Sequence, residues 1–258
     1  MTGYFQDFNH KADGAAHSYV DAVKPKLAIV LDDLCGGSDS TLSIEAAKIA
    51  DKVTVAVLPN GVGGQQCFAD VARTLQRNGG EAIVHMPMEA KNTPLERGSI
   101  GVNLSTQENT QRFDNAMETL AIIKPVGFNN HTGSLATSFD DVVRPVMASA
   151  VMNHYEDVRF VLDSKTSPNS VMCEVASDFG LDCVTRDAPF LDHSRDMDDI
   201  RNALWKSVEK AEATGSAITI GHPHPETMAV IAQEWDKLQE RVDLVNVSEI
   251  VELRNGGQ

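Results

Sequence analysis

The sequence predicts an α/β fold in which helices cover a parallel sheet. Short apolar runs alternate along the chain with longer segments that carry apolar residues at helical spacing. The runs are continuous rather than alternating, which is typical of strands buried on both faces in a parallel sheet. Seven or eight such strand–helix units follow residue 25. This number favours a closed or nearly closed (β/α) barrel, with a doubly wound open sheet as the alternative.

Each predicted strand is one of the apolar runs. The first covers residues 27–33 and reads LAIVLDD. The others cover residues 52–59, 81–87, 125–131, 159–164, 181–187 and 217–223, with a last candidate strand at 242–250. Helical spacing occurs between them, at residues 42–50, 66–79, 109–123, 140–154, 170–180, 200–215 and 226–241. Several of these helices end in glycine, as helix C-termini often do.

A single domain is predicted over residues 25–258. The chain of 258 residues is long enough for one large core and short for two independent ones. Residues 1–24 are polar and aperiodic, so we expect them to form an N-terminal arm. No low-complexity tract, long linker or short repeat divides the remainder.

The net charge of -15 argues against nucleic acid and anionic membrane surfaces as partners. No apolar segment approaches the roughly 20 residues that span a bilayer. The N-terminus has neither a basic start nor an apolar core, so no signal peptide is predicted. Four cysteines form no zinc-finger pattern; two disulfides can form in an oxidising compartment, and the sequence leaves their pairing open. Nothing in the sequence indicates an oligomeric state.

Nearly every predicted strand ends in a polar group that can titrate or bind a metal. In order along the chain these groups are Asp32 with Asp33, His85, Asn130 with His131, Asp163, Arg186 with Asp187, and His222 with His224. The C-terminal ends of barrel strands meet at one mouth, where active sites lie. Since the rest of each strand is apolar, the pattern predicts one active site built from these groups.

The residue types at this predicted mouth favour a metal. Asp32 and Asp33 point in different directions at a strand end, so one can bind a metal while the other leans across the site. His85 and His131 add neutral imidazoles, which suit zinc, iron, nickel or cobalt. One carboxylate and two histidines leave positions open for water and substrate, as in catalytic sites. A single residue of this set would have an ordinary explanation, such as a helix cap or a hydrogen-bonded core histidine.

Six segments together resemble the divergent polysaccharide deacetylases. They are IVLDDL, EAIVHMPME, NNHTGS, FVLDSKTSP, RDAPFLD and IGHPHPET, in that order, over about residues 26–253. The resemblance implies a distorted (β/α) barrel, often of seven strands, within the wider glycoside hydrolase/deacetylase superfamily. Residues 25–258 would then form a polysaccharide deacetylase-like barrel domain. The resemblance also suggests that the protein is located in the periplasm or cell envelope. Because no export signal is predicted, a cytoplasmic location remains an alternative.

The resemblance implies a role for each of the first site residues. Asp32 resembles the catalytic base, Asp33 the metal-binding aspartate and His85 the first metal-binding histidine. The better-studied deacetylases place a second histidine four residues later, where this chain has Glu89. The third ligand is therefore assigned to His131.

The late HPH segment resembles the strand end that carries the general acid, so His222 is assigned this role with His224 close behind. Asn130, Asp163 and Arg186 are expected to contact substrate or support the site. Asp187 is expected to orient a catalytic histidine, with an ion pair to Arg186 as the alternative.

The function that follows is deacetylation of a polysaccharide or oligosaccharide at nitrogen or oxygen by metal-activated water. One divalent ion, with zinc as the first choice, would polarise the scissile carbonyl. The partner would be a glycan or acetylated saccharide. A second hypothesis is a non-catalytic carbohydrate-binding module that keeps the barrel and the metal. A glycoside hydrolase is the third, and the histidines argue against it, because that reaction needs two carboxyl groups and no metal.

Overall fold

The computed structural model describes residues 23–154 and 156–256. Its parallel strands are β1 Lys26–Leu34, β2 Thr54–Val57, β3 Glu81–Met88, β4 Gly127–Thr132, β5 Phe160–Asp163, β6 Asp182–Thr185, β7 Ser216–Gly221 and the short β8 Asp243–Val245. Seven of them form a curled, incompletely closed barrel in the order β6-β5-β4-β3-β2-β1-β7, and β8 pairs with the start of β1. The predicted α/β barrel is therefore confirmed. All but two residues of the predicted arm, 1–24, lie outside the described residues.

Helices surround this sheet. They are α1 Thr41–Lys48, α2 Gly64–Asn78, α3 Thr106–Thr119, α4 Asp140–Asn153, α5 Met172–Asp178, α6 Met197–Thr214, α7 Pro225–Arg241 and α8 Val247–Asn255, with two short 3-10 turns at Ala121–Ile123 and Ala136–Ser138. The first seven correspond to the seven predicted helices. Within the part of the chain that the structure describes, no helix is both long and apolar enough to cross a bilayer.

The prediction of a strand over residues 242–250 is wrong for most of its length. The strand stops at Val245, and α8 begins two residues later. The cause is a capping box: Asn246 caps the helix, and the backbone N–H of Asn246 in turn donates to Glu249 Oε1 over 3.4 Å. The apolar residues of this segment suggest a strand, whereas Asn246 and Glu249, three residues apart, are the sequence signal of the cap.

The strands bury both faces, which explains their continuous apolar runs. One set of side chains packs under the helices, including Leu27, Ile29 and Leu31 of β1. The other set fills the interior of the barrel. Its strand residues are Ala28, Val30, Ala56, Ile83, Phe160, Leu162, Val184, Ile218, Ile220 and Val245. Successive strand side chains alternate between faces, so one further step along the inner file reaches Asp32, His85, Ser164 and His222. The barrel interior thus leads directly to the mouth.

The barrel is left open between β6 and β7, and the segment after β6 covers this gap. The Ala188 N–H donates to Ile218 O over 3.1 Å, and the Leu191 N–H donates to Ile220 O over 2.8 Å. Residues 187–191 therefore run along the edge of β7 without forming a regular strand. They bring Asp192 to the mouth.

Two disulfides link the barrel to its helices. Cys35, just after β1, is bonded to Cys67 of α2, and Cys173 of α5 is bonded to Cys183 of β6. Each bond therefore ties a strand or strand end to a helix. No cysteine of the described residues is free.

The two disulfides should stabilise the fold unequally, because they close loops of different length. Cys35–Cys67 spans 32 residues and Cys173–Cys183 spans 10. Loop entropy gives about 3.5–4 kcal/mol for the first and about 2.5–3 kcal/mol for the second. We expect urea unfolding to show a larger loss of unfolding free energy for the Cys35→Ser/Cys67→Ser variant than for Cys173→Ser/Cys183→Ser. The reverse order would contradict this assignment of their stabilising roles.

Candidate active site

Three side chains, from the mouth ends of β1, β3 and β4, converge at the mouth. Asp33 Oδ1 lies 3.2 Å from His85 Nε2 and 2.9 Å from His131 Nδ1. The two imidazole nitrogens are 3.2 Å apart. The three ligand atoms thus form a nearly equilateral triangle. His85 is buried, whereas Asp33 and His131 are partly exposed toward the mouth.

Asp33 reaches this position because the backbone leaves the extended conformation at the end of β1. In a regular strand its side chain would point away from that of Asp32. Its φ of 62° lies in the left-handed region, and so does the φ of 64° at Cys35. The turn is held in place at Cys35, whose N–H donates to Ser43 Oγ over 2.9 Å and whose carbonyl accepts from the Gly63 N–H over 3.1 Å. These contacts, with the disulfide, offset the cost of the left-handed backbone.

Asn129 sets the protonation pattern of the buried pair. Its Nδ2 donates to Asp32 Oδ1 over 2.9 Å, so its Oδ1 faces the other way, 2.7 Å from His85 Nδ1. A carbonyl oxygen accepts, so His85 must carry a proton on Nδ1. The Nε2 atom of neutral His85 then presents a lone pair to Asp33. Metal-binding histidines are oriented in this way by the hydrogen bond of their second nitrogen.

The residues at this triangle fit a divalent metal. Asp33 Oδ1 is buried and has no well-oriented hydrogen bond to any described residue. Two nitrogens nevertheless lie within 3.2 Å of it. Burial disfavours the imidazolium of His85, yet Asp32 and Asp33 raise its pKa, so the site attracts positive charge. Ligand atoms at about 2.0–2.2 Å from one ion lie about 2.8–3.6 Å apart for bond angles between about 90° and 110°, a range that includes the observed separations.

Asp32 lies beside this triangle without joining it. Its Oδ2 is 3.5 Å from His85 Nε2, and its Oδ1 accepts the hydrogen bond of Asn129. The residue is 2% exposed, and this burial raises the pKa of its carboxyl group. A carboxylate so placed can accept a proton from a group bound in front of it.

His222 lies on the other side of the triangle. Its Nε2 is 3.9 Å from Asp33 Oδ2. Its Nδ1 is 2.9 Å from Asp192 Oδ1, and Asp192 Oδ2 accepts from the His222 N–H over 2.7 Å and from Thr227 Oγ1 over 2.8 Å. Burial opposes the imidazolium, but the hydrogen bond and charge of Asp192 outweigh this effect and raise the pKa of His222 to about 9. The imidazole is therefore protonated at neutral pH.

Asp192 was missed by the sequence analysis, which assigned the histidine partner to Asp187. That assignment is wrong. The Asp187 carboxylate accepts from the Ile218 N–H over 2.8 Å and from Arg254 over 2.8 Å. The chain after β6 runs along β7, so Asp187 lies beside the middle of that strand and away from the mouth. The signal for Asp192 was present in the RDAPFLD segment, five residues further along.

His224, the other member of the histidine pair, lies behind His222 at the start of α7. Their rings stack with centroids 5.5 Å apart, and His224 is absent from the cavity lining. Burial lowers the pKa of His224, and nearby Arg195 lowers it further. Of the two histidines, His222 is the one that faces Asp33.

The remaining predicted residues support the loops around the mouth. Asn130 Oδ1 accepts from the Ser164 N–H over 2.9 Å, which ties the end of β4 to the end of β5. Asp163 Oδ1 accepts from the Lys165 N–H over 2.8 Å, and Arg186 Nε donates to Ser164 O over 2.9 Å. The Arg186 guanidinium also lies 4.0 Å from the centre of the Phe190 ring. Of the three predicted residues, Asn130 alone lines the cavity described next.

A cavity of about 230 Å³ opens over Asp32 and the two triangle histidines. Phe190 and His193 form one wall, and Asn130, Ser164 and Thr166 form another. Glu89 takes no part in the triangle, because its carboxylate accepts from the Val102 N–H over 2.7 Å. The cavity is thus a small, half-open pocket whose base carries three side chains that could hold a metal, a buried carboxylate and an imidazole with a raised pKa.

The sequence of residues 29–251 matches the family model of the divergent polysaccharide deacetylases. The chain belongs to this family. One relative of this family member is the uncharacterized protein YibQ of Escherichia coli. The two sequences are 30% identical over 227 residues, which cover 88% of this chain and 67% of YibQ. An uncharacterized protein of Haemophilus influenzae is 28% identical over 241 residues, 92% of this chain and 80% of the other.

Solved structures share the fold of this family member. Uncharacterized protein ATU2773 of Agrobacterium tumefaciens has a TM-score of 0.77 at 20% identity, covering 90% of this chain and 91% of that one. The chitin deacetylase of Colletotrichum lindemuthianum has a TM-score of 0.52 at 13% identity, with 88% of each chain covered. BA3943, a CE4 family pseudoenzyme of Bacillus anthracis, also has a TM-score of 0.52, at 16% identity, covering 88% of this chain and 66% of that one.

Replacing Asn129 should weaken metal binding although Asn129 is no ligand. In Asn129→Leu the His85 ring loses the partner that fixes its Nδ1 proton, and we expect zinc affinity to fall by about 10–100-fold. Competition against a chelator of known affinity measures this change. Asn78→Leu, at the opposite end of α2 from the mouth, is the control and should bind zinc like the parent. Equal affinities in the two variants would contradict the role given to Asn129.

Proposed function

We propose that the protein is a metal-dependent hydrolase that removes acetyl groups from a carbohydrate. The observation that carries this proposal is the triangle of Asp33, His85 and His131 flanked by two groups of opposite proton-transfer character, Asp32 and His222. Hydrolysis of an acyl group needs all three functions: a Lewis acid, a proton acceptor and a proton donor. Membership of the divergent polysaccharide deacetylase family supports the choice of an acylated glycan as substrate.

Asp33, His85 and His131 would hold the metal, with zinc the first choice for one carboxylate and two imidazoles. When bound, the ion polarises the acyl carbonyl and lowers the pKa of water.

Asp32 would accept the proton of the attacking water. Its Oδ1 is fixed by Asn129, so the other oxygen is the free proton acceptor. Burial raises its pKa, which makes it a stronger base than an exposed carboxylate. Its position within the barrel interior shields it from solvent.

His222 would give a proton to the leaving group. Water adds to the carbonyl carbon, the bond from that carbon to the glycan nitrogen or oxygen breaks, and this atom takes the proton of His222. Acetate and a free amine or hydroxyl remain. Asp192 keeps the imidazole charged and oriented before the step, which supports the role of proton donor.

The two disulfides support an oxidising compartment, such as the bacterial periplasm, as the site of action. Structural disulfides are rare in reducing compartments. This proposal agrees with a substrate in the cell envelope.

Substitution of Asp33 should remove the metal, whereas substitution of the adjacent Asp32 should slow turnover and leave the metal bound. We expect about one divalent ion per chain in the parent protein, lost in Asp33→Ala and His131→Ala. Asp32→Asn should keep the ion and lose about 100-fold or more of the rate. Elemental analysis and acetate release from a panel of acetylated oligosaccharides measure the two quantities.

An ion-free parent protein after reconstitution with zinc would reject the metal-dependent mechanism. A full complement of ion with saccharide binding and no acetate release would favour the alternative, a carbohydrate-binding module that retains the metal site.

Asp192→Asn should impair turnover without loss of metal. The amide cannot stabilise the imidazolium of His222, so we expect the turnover number to fall by about 100-fold while zinc affinity stays unchanged. Asp187→Asn is the matched control, since Asp187 pairs with Arg254 away from the mouth. A similar loss of rate in both variants would mean a general effect on folding rather than on the proton donor.

A further inference from the structure

A second and larger cavity lies beside the site, with a volume of about 580 Å³. This is within the size range of small-molecule binding pockets. Its apolar floor includes Pro59, Phe68 and Pro87, and its walls carry Asn60, Gln65, Arg97, Arg112 and Asn115. The proposed acid, base and metal ligands take no part in lining it.

The charge of this cavity is opposite to that of the chain as a whole. The protein has a net charge of -15, yet Arg97 and Arg112 are the charged side chains that line the cavity among the described residues. The Arg97 guanidinium makes no hydrogen bond or ion pair with any described residue. An unpaired guanidinium is suited to bidentate contact with a carboxylate or phosphate group.

The Arg112 side chain, unlike that of Arg97, is held by a hydrogen bond. Its Nη1 donates to Ser99 O, which ties α3 to the loop that carries Arg97. Glu108 lies one turn earlier on α3, but its carboxylate is taken up by the N–H and the hydroxyl of Ser105, at 2.9 and 2.7 Å. The positive charge of Arg112 is therefore only partly balanced by its own helix.

The cavity and the metal-binding triangle share the loop of residues 89–105. Glu96 lies on one side, with its Oε2 3.9 Å from His131 Nε2, and the next residue, Arg97, lines the cavity on the other side. Pro87, in its floor, is the register partner of His131 across β3 and β4. A chain molecule bound over the triangle can thus reach the cavity by crossing one loop.

We propose that this cavity binds an acidic sugar unit of the glycan, whose carboxylate or phosphate is held by Arg97 and Arg112. That the bound sugar is part of the substrate rests on the proposed deacetylase function. Binding of the sugar in this cavity requires neither the metal nor turnover. The inference narrows the substrate class to anionic glycans, in which acetylated and acidic units are near neighbours.

Binding of galacturonate oligomers, compared with their fully methyl-esterified forms, tests the proposal. The two forms differ in the charge of each carboxyl group and by one methyl group per sugar unit, so the arginine variants decide whether a preference for the acidic form comes from charge. Calorimetry at low ionic strength measures both affinities. We expect the acidic form to bind at least about tenfold more tightly, and Arg97→Gln/Arg112→Gln to remove this preference. Arg97→Gln alone, whose side chain supports no other residue, should lower it in part. A phosphorylated glucose run in parallel distinguishes phosphate from carboxylate as the preferred group.

Two controls separate this proposal from the rest of the site. Arg73→Gln removes an exposed arginine of α2 that pairs with Asp70 and should leave the preference intact. Asp33→Ala removes a proposed metal ligand and should also leave it intact, whatever the outcome of the acetate assays. Equal affinity for the acidic and esterified oligomers, or an unchanged preference in both arginine variants, would overturn the proposal.

Discussion

The hydrogen bond between His85 Nδ1 and Asn129 Oδ1 determines how the site works. It fixes a proton on Nδ1 of His85 and turns Nε2 toward the Asp33 carboxylate, an arrangement that is favourable only with a proton or a metal ion between the two atoms. The other end of the same amide holds Asp32. One buried side chain therefore creates the demand for positive charge and fixes the adjacent carboxylate. Because the amide cannot be reversed without losing both bonds, the two effects are inseparable.

The barrel supplies these groups through the simple alternation of strand side chains. The inward-facing residues of β1, β3 and β7 are apolar in the barrel interior and become polar at the next inward position toward the mouth, at Asp32, His85 and His222. Close packing of apolar side chains in the barrel interior holds each strand in register. The polar side chains at the mouth are therefore held as rigidly as the core residues next to them. Asp33 is the exception to alternation, and the turn at Cys35 holds it in place.

Much of this arrangement could be predicted from the sequence, because strand ends in a parallel barrel converge whatever the loops do. Asp32, Asp33, His85, His131 and His222 were found from that rule and from their residue types. Asp192 and Asp187 were confused because both follow β6, and the sequence does not show where an irregular segment leaves the edge of β7. The disulfide pairing and the part played by Asn129 depend on distances across the sheet, which residue types alone do not encode.

The irregular segment that covers the gap between β6 and β7 divides the site into two parts with different freedom to change. The ligand triangle is attached to β1, β3 and β4, which belong to one continuous sheet: β3 pairs directly with β4, and β2 pairs with both β1 and β3. Asp192 is attached to a stretch that touches the sheet through a few backbone hydrogen bonds. An insertion or deletion in residues 187–191 would move the partner of His222 while sparing the triangle. Evolution of this fold can therefore alter or abolish the proposed proton donation by His222 and still retain the three proposed metal ligands.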